Sequence, residues 1–530
     1  MPAHRWRRGA GSDGEFARAA RTLAQQLNHP LAGRVPKCCE ERSQLARRRH
    51  RSEIFITKRN YCGLAEPSIQ FRPRHVGPSV VLVVLWPPAL RPDLEERLQG
   101  SAVVLFTRDL RVHDNPALAG AVERFERVLP LFVLDSGLLK SFGTPNRVTF
   151  LLGSLQSLRD SLRARGGELA LRCGDVVEET VRAVRDVQAE RVFLSEDVSG
   201  YAQERERRLR RGLAGERVEL ETFPGVTVVP PGELSPAGLE AFRVFTPYWR
   251  RWRVEPRRPI LPAPERIVLP GGVAAGRLPE LRELVPGLPA PELPLGGEAA
   301  GRARLERWLE HGLECYDELR DDLAADATSR LSPYLHFGCV SPGEVAELAL
   351  AREGGEGFVR QLCWRDFHHQ LLAATPAISR DDYRPRSAGW RSDPDGLEAW
   401  KQGRTGYPLV DAGMRQLLRE GFMHNRARLV AGSFLTKHLS IDWRQGAAHF
   451  YAHLVDGDVA NNAGNWQWVA GTGTDTRPNR MLNPIRQQRS LDPDGVYAGR
   501  YLPELGTAEY PKPLIAQEDA VARFRGAGAL

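Results

Sequence analysis

Residues 102–122 read AVVLFTRDLRVHDNPALAGAV, and the fold turns on how that stretch is parsed. AVVLF (102–106) is a short apolar run of strand length. Asn115 followed by Pro116 has the chemistry of a helix start. The amide side chain accepts from a free backbone N–H, and proline lacks an N–H that has no helical partner anyway. The stretch is therefore strand, loop, helix.

Working outward, RVLPLFVLD (127–135), LALRC (169–173), RVFLSED (191–197) and VELETF (218–223) repeat the strand pattern. Between them, VEETVRAVRDVQAE (177–190) and AQERERRLRRGL (202–213) have helical patterning. Strand–helix alternation at this spacing predicts a doubly wound parallel sheet, a Rossmann-like α/β domain, over residues 100–228. Residues 229–299 are rich in Pro and Gly and predict a linker. Past residue 300 the strand patterns stop. Helices are expected over 301–323, 342–352, 356–374, 394–403, 408–421, 425–440 and 443–456, within an all-helical domain spanning 300–507. Residues 508–530 are expected to form a tail. Seven of the eleven tryptophans fall in the helical part.

The 530 residues are 42% hydrophobic and 26% charged, ordinary for a soluble chain of two or three domains. VVLVVLWPPAL (80–90) is too short to span a bilayer and runs into prolines, so no membrane partner is expected and the cytoplasm is the default location. Seven cysteines without a CxxC pair argue against a disulfide framework or a zinc site. The net charge of +8 suggests nucleic acid, but residues 1–99 carry 18 basic against 9 acidic groups, leaving 56 against 57 for the rest. Residues 1–99 therefore form a basic leader without clean periodicity, expected to be disordered. A DNA-binding face on the main body must come from arrangement rather than excess charge.

Neither GxxxxGK[ST] nor a GxGxxG after the first strand is present, so ordinary P-loop and dinucleotide readings lack support. TSRLSPYLHFG (328–338) places hydroxyls and a guanidinium at a helix start, suited either to a phosphate or to plain capping. In QLCWRDFHHQLL (361–372), Trp364 and Phe367 share a helix side, with Gln361 one turn before Trp364; that reads as core packing or as a pocket wall. Asn425 and Arg428 share a face three residues apart. DGDVANNAGNWQWVAGTGTD (456–475) fits neither helical nor strand periodicity. On a helix Trp466 and Trp468 would point about 200° apart; on an extended chain they would point the same way.

Taken together, VVLFTRDLRVHDNPAL (103–118), FTPYWRRW (245–252), TSRLSPYLHFG, WRDF (364–367), GRTGYPLVDAGMRQL (403–417), MHNRAR (423–428) and the 456–475 segment resemble the photolyase/cryptochrome family, in the family's order and over residues 101–507. The resemblance implies FAD in the helical domain and DNA containing pyrimidine dimers as partner, with the chain acting as a monomer. It implies flavin contacts from Tyr316, Thr328, Ser329, Arg330, Leu331, Ser332, Arg365, Asn425, Arg428, Asp456, Gly457 and Asp458, with Asn462 as partner of flavin N5. Trp466, Trp443 and Trp390 match the family's electron-transfer chain. Trp364 and Trp468 match its lesion-stacking walls, and Arg320, Gln361, Asn425, Arg426 and Gln487 match further substrate contacts.

Asn425 and Asn462 favour the bacterial class I branch that repairs cyclobutane dimers. The activity implied is a carbon–carbon lyase: light-driven electron transfer splits the dimer. Two residues depart from the pattern. Gln361 stands where well-studied relatives carry Glu, and Leu429 replaces Met, so weaker or slower repair is expected. An antenna chromophore is also implied, an 8-hydroxydeazaflavin or methenyltetrahydrofolate, and the folate-binding Asn-Glu pair appears as Gln203-Glu204. The competing readings are a cryptochrome-type photoreceptor and a DNA-binding protein without useful photochemistry.

Overall fold

A computed structural model describes residues 98–385 and 389–526; the leader expected over 1–99 lies outside them except for its last two residues. Five strands form one parallel sheet: β1 (Leu98–Leu105), β2 (Phe125–Asp135), β3 (Ala170–Gly174), β4 (Ala189–Ser195) and β5 (Glu219–Phe223), in the order β3-β2-β1-β4-β5. All five lie where the apolar runs predict them. Ala102, Val103, Val104 and Leu105 are fully buried on both faces, as the centre of a doubly wound sheet requires. The chain winds to one side through β2 and β3, then crosses back to β4. The topological switch therefore falls at β1, and a crevice opens beyond the strands' carboxyl ends.

The first helix, Pro116–Arg124, begins as its sequence dictates. Asn115 Oδ1 accepts from Leu118 N–H at 3.0 Å, and Pro116 is the first helical residue. Residues 229–299 hold two short helices, Phe245–Trp252 and Leu281–Leu284, and otherwise run as a strap along the α/β domain. Leu171 N–H of edge strand β3 donates to Ala275 O at 2.9 Å, and Val128 N–H donates to Val268 O at 2.8 Å. The strap thus covers the open edge of the sheet. Gly276 permits this approach, since a Cβ there would sit 2.2 Å from the Leu171 carbonyl oxygen.

The remaining chain is helical: Glu298–His311, Pro342–Leu350, Gly355–Ala374, Pro394–Lys401, Pro408–Glu420, Asn425–Ser433, Trp443–His453, Val459–Ala470, Pro484–Leu491, Val496–Tyr501 and Gln517–Gly526 are the longer elements. Two findings differ from the sequence expectations. The aperiodic 456–475 segment contains a twelve-residue helix, Val459–Ala470, capped by Asp458 and stopped by Gly471 at φ +86°. The expected tail instead packs on the helical domain. Leu514 N–H donates to Thr405 O, Tyr407 Oη donates to Ile515 O at 2.6 Å, and Ala520 is fully buried. Among the described residues no helix is long and apolar enough to cross a membrane.

Candidate active site

Three helix ends converge on one cleft: the start of Asn425–Ser433, the end of Trp443–His453 and the start of Val459–Ala470. Asn425, Arg428, Leu429, Asp456, Gly457, Asn462 and Trp466 line it, around an open cavity of about 80 Å³. Asn425 is exposed at its edge and Asp456 is buried. Arg428 Nη2 donates to Asp456 Oδ2 at 2.8 Å, and Ser332 Oγ donates to the same oxygen at 2.5 Å. Arg428 is fixed in turn by its Nε–H on Met423 O at 2.7 Å. Asp456 Oδ1 is buried without a partner, as is Thr328 Oγ1 on the loop leading to Ser332. Buried polar atoms are normally satisfied, so both keep unused hydrogen-bonding capacity, and that of Asp456 lies in the cleft lining.

The loop itself is held from behind. Arg330, at φ +51°, donates to Asp326 and to Glu420 at 2.9 and 2.7 Å, and Ser329 O accepts from Arg304 at 2.8 Å. Leu331 is buried in the core. Tyr316 packs edge-on to Trp308, and burial pushes its phenol up to about 12. Arg320 and Arg426 are paired internally, to Asp317 and Asp321.

Two predicted contacts point elsewhere. The Asp458 carboxylate is occupied by its own helix and by the α/β domain: Oδ1 caps Asn461 N–H at 2.9 Å, and Oδ2 accepts from Arg108 Nη2 at 2.5 Å. Arg365 donates to Val226 O at 2.5 Å rather than into the lining of the cleft. A sequence pattern of acid-Gly-acid cannot reveal that the second acid is claimed by a distant arginine.

Trp466 forms the buried wall. Its ring meets Phe450 edge-on at 4.9 Å and Trp400 at 6.1 Å. Gly446 leaves it room, because a Cβ there would stand 2.3 Å from the indole. Trp443 is buried, with Nε1–H on Asp382 at 2.8 Å, while Trp390 is only partly buried. Of the three tryptophans, Trp466 and Trp443 are thus buried and Trp390 is the one nearest solvent. Trp400 was not singled out by sequence; it is fully buried against Trp466, and only packing reveals it.

The helical geometry separates Trp466 from Trp468, which is half-buried on the other side of its helix. Trp364, also half-buried, lies flat on Phe245 with centroids 3.6 Å apart and planes at 4°. Gln361 is half-buried one turn before it, and Gln487 is half-buried on helix Pro484–Leu491. Nearby imidazoles are neutral: burial lowers His368, His369 and His424 to about 4.

A second cavity, of about 1010 Å³, occupies the switch-point crevice between the domains. Phe106, Arg108, Asp135, Tyr201, Trp443 and Asn462 are among its walls. Gln203 faces a different, smaller pocket, and Glu204 is ion-paired to Arg207 at 2.5 Å.

Comparison with known proteins agrees with this two-domain fold. Residues 102–265 match the family described as DNA photolyase, and residues 358–525 match the FAD binding domain of DNA photolyase. The second match continues past residue 507, through the packed C-terminal segment. A deoxyribodipyrimidine photo-lyase of Streptomyces griseus is 49% identical over 81% of this chain and 99% of its own. Another, from Thermus thermophilus, is 39% identical over 80% and 97%. In structure, a class III photolyase from Agrobacterium tumefaciens superposes with TM-score 0.75 at 31% identity, covering 83% of this chain and 98% of its own. A Synechocystis cryptochrome does so with TM-score 0.75 at 28% identity, covering 82% and 100%. The chain belongs to the DNA photolyase family, as a photo-lyase with a parallel α/β domain and a helical FAD-binding domain.

Proposed function

We propose that the chain repairs cyclobutane pyrimidine dimers in DNA, using FAD held in the Asn425–Asp456 cleft. The observation that carries this reading is the joint lining of one cleft by the Arg428–Asp456 pair, Asn462 and the buried Trp466. The residues present fit the cofactor. Thr328 Oγ1 and Asp456 Oδ1 lack partners, and the Asn462 amide is oriented by its Nδ2–H on Ala447 O at 3.1 Å. When bound, FAD supplies light absorption and one-electron donation; the protein supplies position and electrostatics.

Arg428, with Asp456 and Ser332, would hold the polar edge of the cofactor. Trp466, excluded from water, would be the adjacent electron donor, with Trp443 and then Trp390 leading outward. Trp364 and Trp468 would stack a dimer flipped from the duplex, at roughly 1–3 kcal/mol per base. Trp364 is held ready by Phe245. Gln361 would donate to a pyrimidine carbonyl, but an amide has no proton to share with a reduced lesion, so Gln361→Glu is expected to raise the repair rate. A variant no faster than the parent overturns that role.

We also assign the 1010 Å³ crevice to a second, flat chromophore of the deazaflavin or folate kind. Its volume and aromatic walls support this, and the absorption of ligand extracted from purified protein identifies the kind. A related archaeal photolyase from Sulfolobus tokodaii was solved with two FAD molecules, implicating a novel light-harvesting cofactor in that protein.

The similarity to a cryptochrome favours one alternative, light sensing without repair. Illuminating purified protein with a dimer-containing oligonucleotide under reducing conditions separates them. Dimer loss only in the light is expected; flavin photoreduction without dimer loss would establish the alternative.

A further inference from the structure

Arg108 is the point where the two domains share a charge. It follows β1, and its backbone is gripped by the helical domain: Gly338, at φ +68°, leaves room that a Cβ would close to 1.9 Å from the Arg108 carbonyl oxygen. Its guanidinium reaches three ways. Nη1 donates to Asp197 Oδ2 at 3.2 Å, Nε to His336 O at 3.0 Å, and Nη2 to Asp458 Oδ2 at 2.5 Å. Asp458 is the cap of helix Val459–Ala470, which carries Asn462 and Trp466 into the cleft one and two turns later. The same guanidinium lines the interdomain cavity.

We infer that Arg108 is a positioning residue for the flavin cleft: by holding Asp458 it fixes the first turn of helix Val459–Ala470, and with it the direction of Asn462 and Trp466. The inference rests on the reading that FAD occupies that cleft.

The surroundings of Asp458 say what Arg108 prevents. His369 Nε2 stands 3.6 Å and His336 Nδ1 3.9 Å from Asp458 Oδ2, with Arg365, His368 and Asp197 close by. His369 Nδ1 faces Arg365 O at 2.9 Å, so its neutral tautomer presents a lone pair to the carboxylate. Burial lowers both imidazoles, and Arg108 lowers them further. Burial opposes ionisation of Asp458, yet Arg108, joined by His369 and His336 whenever these carry a proton, holds it well below the usual carboxylate range. Removing Arg108 leaves Arg365, whose guanidinium is spent on Val226 O, and the two imidazoles to answer that charge, and of these only the imidazoles change charge with pH. Protonated at low pH, they would replace Arg108; neutral at high pH, they would leave Asp458 to the more distant Arg365 alone.

The test is FAD affinity of reconstituted apoprotein against pH, beside the apoprotein's thermal midpoint. The parent is expected to be flat from about pH 5.5 to 7.5. In Arg108→Met the two imidazoles lose the cation that lowers them and face the Asp458 charge instead, so they rise toward the ordinary imidazole range. The variant is therefore expected to bind FAD about tenfold more weakly at pH 7.5 than at 5.5, one unit of pKa being a factor of ten. Its flavin-free midpoint should fall over the same range. Arg108→Lys should restore the flat profile. A Met variant as flat as the parent, or a Lys variant that titrates like it, overturns the inference. If the Met variant does not fold, Arg108→Gln carries the same expectation and the same overturning result. A parent that binds no FAD would instead overturn the flavin reading, whereas the apoprotein midpoint still reports on Arg108.

Discussion

Two buried aspartates, Asp114 and Asp456, are built from the same parts and finished differently. Each is paired with one arginine and one serine hydroxyl. At Asp114 both oxygens are used: Arg258 reaches both, Leu261 N–H adds to Oδ1 at 3.0 Å, and Ser341 Oγ–H adds to Oδ2. At Asp456 both partners, Arg428 and Ser332, fall on Oδ2, and Oδ1 is left bare. Asp114 lies where the α/β domain, the strap and the helical domain meet, so saturation makes it a strut. Asp456 lies in a cleft, so its unspent oxygen is an invitation. The contrast shows how a charged pair declares its purpose through what it leaves unsatisfied.

The largest effect is expected at the strut. Asp114→Ala leaves Arg258 and Ser341 without their acceptor and should cost about 3–5 kcal/mol of unfolding free energy, read from urea unfolding of the apoprotein. A loss below about 1 kcal/mol would mean the saturated node is not structural.

Asp456→Ala should reverse the pattern. The apoprotein should lose less than the Asp114 variant, while FAD affinity should fall by roughly 1.5–3 kcal/mol, the worth of a hydrogen bond to a charged group. Fluorescence titration of FAD measures it. Equal FAD affinity in parent and variant would break the comparison at its functional end.

Trp364→Ala probes the proposed lesion wall, which stands outside the Asp456 cleft on helix Gly355–Ala374. Its loss should weaken binding of a dimer-containing oligonucleotide by roughly 1–3 kcal/mol, with little change in FAD affinity. Because Phe245 covers the other face of the indole, some of the cost will appear as lower stability. Parallel unfolding separates the two.

The α/β half was legible because its strands are continuous apolar runs and its first helix announces itself through Asn115-Pro116. Helix Val459–Ala470 was not. Among its buried positions, Ala460, Ala463, Gly464, Gln467 and Ala470 do recur at helical spacing, but they are small or polar. Trp468 meanwhile stands with Asn461 and Asn465 on the less buried face, so hydropathy does not display the 3.6-residue period. The same segment nevertheless named Asn462 and Trp466, which line the candidate cleft, because its order of residues resembles the family's without need of periodicity. Contacts made by tertiary approach stayed hidden: Arg108 on Asp458, Trp400 on Trp466, and the C-terminal segment on Thr405 and Tyr407. None leaves a local pattern for a sequence to display.

The smallest effect refines the comparison with a third carboxylate. Asp366, on helix Gly355–Ala374, accepts at Oδ2 from Val228 N–H, Val229 N–H and Trp252 Nε1–H, each at 3.0 Å, while Oδ1 is buried without a hydrogen bond, 3.7 Å from Arg365 Nη1. It resembles Asp456 in its bare oxygen but holds the strap, so it tests whether an unspent atom alone marks a ligand site. Burial raises its acid to about 6, although Arg365 and the three donors pull the other way. Between its unfolded value near 3.9 and about 6, the folded chain holds a proton that the unfolded chain has lost. That contribution stabilises at low pH and is lost as pH rises through about 6. Asp366→Asn keeps the acceptor for all three donors and replaces the bare oxygen with an NH₂. Unfolding free energy measured from about pH 4 to 7 should therefore lose the downward slope this group supplies, with FAD affinity unchanged. A variant that keeps the parental slope would show that Asp366 is ionised throughout, its unbonded oxygen answered from within the chain by Arg365.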